Sequence, residues 1–503
     1  MKRINVFIFA IAFFTVSGCS KILDQKPLTG LLPENAIGTA ENAESLLSSA
    51  YAALREGKMF GECIINMAEI PGDNTTTVNS ALLMLENFTW NPTSGYIDGP
   101  YTQGYNAIAK ANFIIDLVGN ADMDAARRDQ IKGEALFIRA LTYFYLVRFY
   151  GALPLYTKPV LSGDQQTIQE NAQAARSSVD SVYALITSDL DMAATLVAET
   201  QTDASRNRYR AIKTTVNALQ AKVYLYLRQW DKATVAAQKV IASPLYSLPA
   251  DFNSLWPAKG KAEAVFEINY NPPLEGGGVI PDEILPFPLA TYSFDKFPRP
   301  VPDFIENVAD RTNDKRFKFV APVNFNGVHV ADNYTSFLVG LPNNLPGGGG
   351  AVDLGYFIYK WRNVGALPFN NPDNYSVLRL ADIKLIYAEA ENELNGPGNA
   401  LAPLNEIRTR AGLTALTLAN VPDKTSFRNE VDRQRRLELA FEGERWMDLV
   451  RYANAKTAGI PHTITALDII KQVRGSEDAN YLLFPIPQGE VNSNPNVKQN
   501  PGY

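Results

Sequence analysis

The densest grouping of residues with chemical potential is "RQRRLELAFEGERWMDLVR", residues 433–451, which holds Arg435, Arg436, Glu438, Glu442, Glu444, Arg445, Asp448 and Arg451. On a helix Glu438 and Glu442 share a face, with Arg435 and Arg445 in reach for pairing at three- to four-residue spacing. Two carboxylates on one face could hydrolyse a glycosidic bond. That chemistry needs them about 5–9.5 Å apart across an open cleft, one with a raised pKa. Flanking guanidinium groups push carboxylate pKa values the other way. The spacing therefore predicts an ion-paired network that locks a helix, not an acid/base pair.

Other catalytic chemistries lack their residues. The two histidines, His329 and His462, stand far apart without cysteine or carboxylate clusters, which argues against a zinc site or a histidine triad. The glycine runs at 275–279 and 346–351 lack the Gly-Lys-Ser/Thr ending of a phosphate cradle and read as loop tips. No metal or cofactor is expected. A net charge of −6 lacks the basic footprint of a nucleic-acid binder.

Binding without catalysis is better provided for. A sugar face is apolar C–H ringed by hydroxyls, so it suits a flat aromatic ring with hydrogen-bonding groups beside it. "GDNTTT" at 72–77 and "FTWNPTSGYIDGPY" at 88–101 supply Asp73, Asn74, Trp90, Tyr96 and Tyr101, and "ATYSFDKF" at 290–297 adds Tyr292 and Phe294. These seven are the candidate ligand contacts. Rings on loops also cap cores, so each has a structural role as its alternative. Tyr105 and Asn112, in the following helix, are expected to pack.

The elements that must position these residues are mostly helical. Residues 133–150, 214–241, 377–411 and 427–452 carry apolar residues at i, i+3, i+4 and i+7. Ala221, Tyr224, Trp230, Ala233, Ala237, Val240 and Pro244 fall on the skeleton of a tetratricopeptide repeat. Ala140 and Tyr143 repeat its first helix, and Ala388, Ala400, Leu404 and Ile407 its second, turning at "NGPG" (395–398). The expected fold is mostly α, a tetratricopeptide-like scaffold of helix pairs; a generic helical bundle is the alternative. Residues 246–375, rich in Pro, Gly, Asn and aromatics, read as a loop-rich insertion with short β-strands such as "AVFEINY" and "YFIYKWR".

The N-terminus adds an address. Lys2 and Arg3 precede an apolar run from Val6 to Val16, too short to span a bilayer. Ser17-Gly18-Cys19 resembles a bacterial lipobox, although Val16 stands where leucine is commoner; an ordinary cleavage site is the alternative. The expectation is a signal peptide over 1–18 and a lipid on Cys19, which leaves Cys63 as a lone thiol. With only two cysteines no disulfide framework is possible. Multiple acyl chains anchor a protein stably, whereas one binds marginally.

Taken in order, these segments resemble the SusD/RagB family of outer-membrane lipoproteins. The resemblance rests on "GEALFIRALTYFYLVRFYGALPL", "RAIKTTVNALQAKVYLYLRQWDKA", "YSVLRLADIKLIYAEAENEL", "LNEIRTRAGL", "RQRRLELAFEGERWMDLVR" and the terminal "LLFPIPQGEVNSNPNVKQNPGY". It implies an N-terminal helical region over 19–245 and a C-terminal region over 246–503, divided into loop-rich 246–375, helical 376–455 and a tail at 456–503. It implies a monomeric lipoprotein on the outer membrane, facing outward as a lid on a TonB-dependent SusC-type transporter. Such a lid binds an oligosaccharide, or in some members a peptide, and is not an enzyme. A surface glycosidase or peptidase and a protein-binding tetratricopeptide adaptor are the rival functions.

Overall fold

The structure is a computed structural model that describes residues 37–161, 163–272, 276–341 and 351–503. Cys19 and the residues before it lie outside the described residues, as do residue 275 of the first glycine run and residues 346–350 of the second. Helices α1 (Ala40–Arg55), α2 (Cys63–Glu69), α3 (Gly95–Leu117), α4 (Ala125–Tyr150) and α5 (Val179–Leu196) form the first half of the scaffold. Then come α6 (Lys213–Tyr226) and α7 (Trp230–Ile241), and after the insertion α8 (Leu380–Asn395), α9 (Pro397–Arg410), α10 (Lys424–Glu438), α11 (Arg445–Thr457) and α12 (Ala466–Arg474).

Neighbouring helices pack as pairs: α3 on α4, α4 on α5, α6 on α7, and α8 on α9, with α7 lying against α8. Small residues make these approaches possible. Ala221, Ala233 and Ala237 are fully buried between α6 and α7, and Ala388, Ala400, Leu404 and Ile407 build a separate small core with α10. The tetratricopeptide-like expectation thus holds where alanine spacing predicted it. Helix α4 is buried on all sides from Gly133 onward. Asp124 caps its start by accepting from Arg127 N, and Gly151 (φ +74°) ends it. The turn needs glycine for its backbone angle; a side chain there would also meet Leu483 Cδ1 at 2.7 Å and push that leucine aside.

Among the described residues eight short strands form three antiparallel sheets; six lie in the insertion, one begins at its last residue, and one comes from the loop after α2. β1 (Thr75–Thr76) pairs with β3 (Arg299–Pro300), and β2 (Ala264–Ile268) pairs with β8 (Tyr375–Arg379). β4 (Phe319–Phe325), β5 (Val328–Tyr334), β6 (Phe337–Gly340) and β7 (Gly355–Ile358) form a meander. Both strand-like runs read in the sequence contain a strand. One apolar core runs from Ile37 to Val497 and joins helices before the insertion to those after it.

Candidate functional site

The carboxylates with catalytic potential are closed off. Glu438, with no exposed surface, takes Arg379 Nη1 at 2.7 Å and Arg316 Nη1 at 3.2 Å, and also pairs with Arg410. Burial alone would raise its pKa, but these three guanidinium groups overcome that and hold it far below the usual carboxylate range. Glu442 is bound by Arg379 Nε at 2.7 Å and by Lys360 Nζ at 2.6 Å. Arg379 stands where β8 runs into α8, so one side chain ties the sheet, α8 and the end of α10 together. The network predicted from the sequence is present, and neither glutamate faces a cleft.

The "GDNTTT" loop belongs to the same network. Asp73 accepts from Arg445 Nε at 2.6 Å and pairs with Arg436 at 3.1 Å, and Asn74 Oδ1 accepts from Arg436 Nε at 2.7 Å. Asn74 has no exposed surface. Trp90 is also interior, at 4% exposure, its ring 3.9 Å from that of Phe484 and its Nε1 donating to Leu85 O. Tyr101, 3% exposed, packs against Tyr105 and Tyr150. Asp73, Asn74, Trp90 and Tyr101 therefore serve the interior in place of the ligand contacts anticipated for them. The reason is long-range: the C-terminal tail brings Phe484 and Tyr503 over Trp90, and α10 and α11 bring arginines to the 72–77 loop. Tyr105 and Asn112 pack as anticipated, each donating to a carbonyl of the chain after α4.

Tyr292 and Phe294 are placed differently. Tyr292 is 48% exposed and stacks on Phe369, 40% exposed, with ring centroids 5.9 Å apart and planes at 27°. Phe294, half-buried, lies 6.4 Å from Phe369, and Leu367, two residues before Phe369, is 61% exposed. Beneath them Phe297 meets Phe294 edge-on at 6.2 Å and Tyr96 at 6.4 Å. Tyr96 thus supports the platform from behind.

Buried polar groups hold the two ring-bearing loops. Asp282, on the short helix Ile280–Ile284, has no exposed surface. Its carboxylate accepts from Thr291 N at 3.0 Å on one loop, and from Phe369 N at 2.8 Å and Asn371 Nδ2 at 2.9 Å on the other. Burial works to raise its pKa, but the donors from Asn371, Thr291 and Phe369 prevail and lower it. Lys296 Nζ donates to Asp282 O and Tyr292 O and sits 3.8 Å over the Phe294 ring. Asp353 accepts from Phe287 N and Ser293 Oγ. Phe369 has φ +53°, a conformation costly for a bulky residue, and the hydrogen bond its N–H donates to Asp282 helps hold it there. The turn beside it requires glycine at 365, where a Cβ would lie 2.1 Å from Asn370 O.

The sequence reading missed Phe369 and Leu367. Their signal was an apolar pair in "NVGALPFNN", a stretch too rich in Pro, Gly and Asn to bury them in a helix or strand. Cys63 is buried, and burial raises its thiol pKa well above the ordinary value. His329 contacts Asp332 on the β4–β5 hairpin side, and His462 stacks on Tyr452 at 4.0 Å. Among the described residues no three His, Cys, Asp or Glu side chains are grouped to hold a metal, and no helix is long and apolar enough to cross a membrane.

The molecule is a scaffold of paired helices with a closed ion-pair network and, on separate loops, a platform of exposed rings. The chain belongs to the SusD/RagB family. The family model described as "SusD family" matches residues 305–503, and that described as "Starch-binding associating with outer membrane" matches residues 21–225. SusD-like protein P25 of Formosa agariphila is 25% identical, with 98% of each chain aligned. SusD-like protein P2 of the same organism is 27% identical over the whole of both chains. Among solved structures, a laminarin-binding SusD-like protein superimposes with a TM-score of 0.72 at 23% identity, covering 93% of this chain and 100% of its own. A SusD homologue from Bacteroides thetaiotaomicron gives 0.75 at 22% identity, covering 94% and 98%.

Proposed function

We propose that the protein is a cell-surface glycan-binding lipoprotein that presents an oligosaccharide to a SusC-type TonB-dependent transporter, and that the Tyr292–Phe294–Phe369 platform is where the glycan docks. The observation that carries this reading is the stacked, exposed pair Tyr292 and Phe369, fixed through Asp282 to the scaffold. Exposed rings spend free energy in water unless a ligand covers them, and a rigid pair loses little entropy when one does. Ser293 and Asn370 lie beside the rings in sequence; the Ser293 hydroxyl already donates to Asp353 and can only accept from a sugar hydroxyl. Support also comes from family membership and from the laminarin-binding description of one relative of the same fold. Surface attachment would come from an acylated Cys19, and the transporter is the partner that a lid of this family implies.

The test is calorimetric binding of the soluble chain, residues 20–503, to a panel including laminarin and starch. Binding of one glycan without release of shorter sugars, weakened in Tyr292→Ala and in Phe369→Ala, is the expected result. A glycan bound with equal affinity by both variants would remove the platform from the reading. Turnover of the glycan would instead favour the glycosidase rival. Recovery of a TonB-dependent transporter with the protein from detergent-solubilised outer membrane tests the partner.

A further inference from the structure

A cavity of about 570 Å³ opens where helices from before the insertion meet those from after it, and no platform residue lines it. That volume suits a small organic ligand. Its floor is apolar, from Val147, Leu225, Met447, Val450 and Leu482, and Tyr183, Tyr226 and Trp230 add aromatic walls.

Its charges are unequal. Two of the four lining arginines are neutralised within the wall: Arg428 pairs with Glu393 at 2.7 Å, and Arg451 with Glu389. Arg148 and Arg228 make no ion pair among the described residues, although Glu444, outside the wall, attracts Arg148. Arg148 is buried between Phe144 and Tyr145, its guanidinium carbon 4.1 and 4.2 Å from their ring centres. It donates to Phe144 O and Tyr226 Oη, and its Nη2 makes no hydrogen bond among the described residues. Arg228 is exposed, in a left-handed backbone conformation (φ +55°), and its guanidinium donates to Asn454 O at 3.1 Å. Four lining arginines against Asp180, Glu389 and Glu393 leave one positive charge in excess, in a chain whose net charge is −6. His462, also in the wall, adds none near neutral pH, since burial lowers its pKa to about 4.

We propose that this cavity is a second binding site, for a small carboxylate with an aromatic or aliphatic body. The body lies on the apolar floor and the carboxylate turns toward Arg228, in the field of Arg148. A carboxylate at Arg228 gains charge-assisted hydrogen bonds, and its charge adds to that of Glu444 in offsetting a buried guanidinium that has no ion-pair partner among the described residues. A neutral molecule of the same shape gains the floor alone.

The test uses the soluble chain, residues 20–503, with 4-phenylbutyrate and 4-phenyl-1-butanol as probes, read by calorimetry and ligand-observed NMR. One equivalent of the acid is expected to bind, at least tenfold more tightly than the alcohol. Arg228→Glu should weaken the acid at least tenfold. Val179→Trp, at an exposed lining position where folding should survive, should do the same by filling the mouth. Tyr292→Ala should leave acid binding unchanged, which separates this site from the glycan platform. The proposal is overturned by no binding of the acid at millimolar concentration, by equal binding of acid and alcohol, or by unaltered binding in both cavity variants. Loss of acid binding in Tyr292→Ala would also overturn it, by placing the acid on the platform.

Discussion

The carboxylate of Asp282 accepts the backbone N–H of Phe369 at 2.8 Å, although 87 residues separate them. The same carboxylate holds Thr291 N, next to Tyr292, so one buried side chain sets the spacing of two rings on different loops. Neither loop has regular structure to do this. The 5.9 Å stack of Tyr292 on Phe369 therefore depends on a residue that touches neither ring face.

Removing that link should loosen the platform without unfolding the scaffold. Asp282→Ala leaves the N–H groups of Thr291 and Phe369 unpaired, at a cost of about 1–3 kcal/mol each if they stay buried. The expected outcome is a loss of glycan affinity comparable to that of Tyr292→Ala, with faster amide hydrogen exchange confined to residues 287–297 and 363–371. Each single ring deletion should cost about 1 kcal/mol, or roughly fivefold in affinity.

Trp90→Ala should behave in the opposite way. The ring packs on Phe484 and near Trp446, Tyr481 and Tyr503, so truncation opens a core cavity costing about 3–5 kcal/mol. Thermal unfolding should shift down clearly. Glycan binding, measured well below the new Tm, should be retained; a selective loss of binding with unchanged Tm would mean that Trp90 meets the ligand.

Glu438 offers a test of the closed network. Glu438→Ala strips a carboxylate from Arg316, Arg379 and Arg410 at once; Asp314, Glu442 and Glu263 still pair with them, but the buried cluster loses one negative charge. Breaking one buried pair costs about 3–5 kcal/mol, and this variant should lose at least that much in chemical denaturation. A stability loss under 1 kcal/mol would show that the network contributes little.

Stability should also carry a pH signature from Glu69. Burial raises its pKa to about 8, despite N–H donors from Gly443 at 2.6 Å and Glu444 at 3.2 Å. The folded chain keeps this proton where the unfolded chain, with a carboxyl near its ordinary pKa of about 4.3, releases it. The stabilising contribution is thus complete below about pH 4.3 and is lost as pH rises to 8. Glu69→Gln removes the titration while keeping an acceptor for both N–H groups. Its Tm should fall less than that of the wild type between pH 6 and pH 9, and parallel curves would rule the assignment out.

Cys19→Ala should move the protein from the membrane fraction to the soluble one. Persistent sedimentation with membranes would mean attachment by some other route.

Local chemistry made much of this molecule legible in advance. Alanine and aromatic spacing at 221–240 and 388–407 specified close helix pairs, because small residues at helical period permit only that approach. Alternating arginine and glutamate at 433–451 specified a network, because guanidinium groups at one-turn spacing suppress the pKa elevation that catalysis would need. What local order could not decide was exposure. Trp90 and Tyr292 both stand in loops rich in Ser, Thr and Pro or Asp, and nothing nearby distinguishes them. One is covered because the chain terminus, nearly four hundred residues later, lays Phe484 against it. The other stays open because the residue it stacks on, Phe369, arrives on a second loop with its own ring facing water. Burial is a property of what comes back to cover a residue, and only the tertiary structure brings it back.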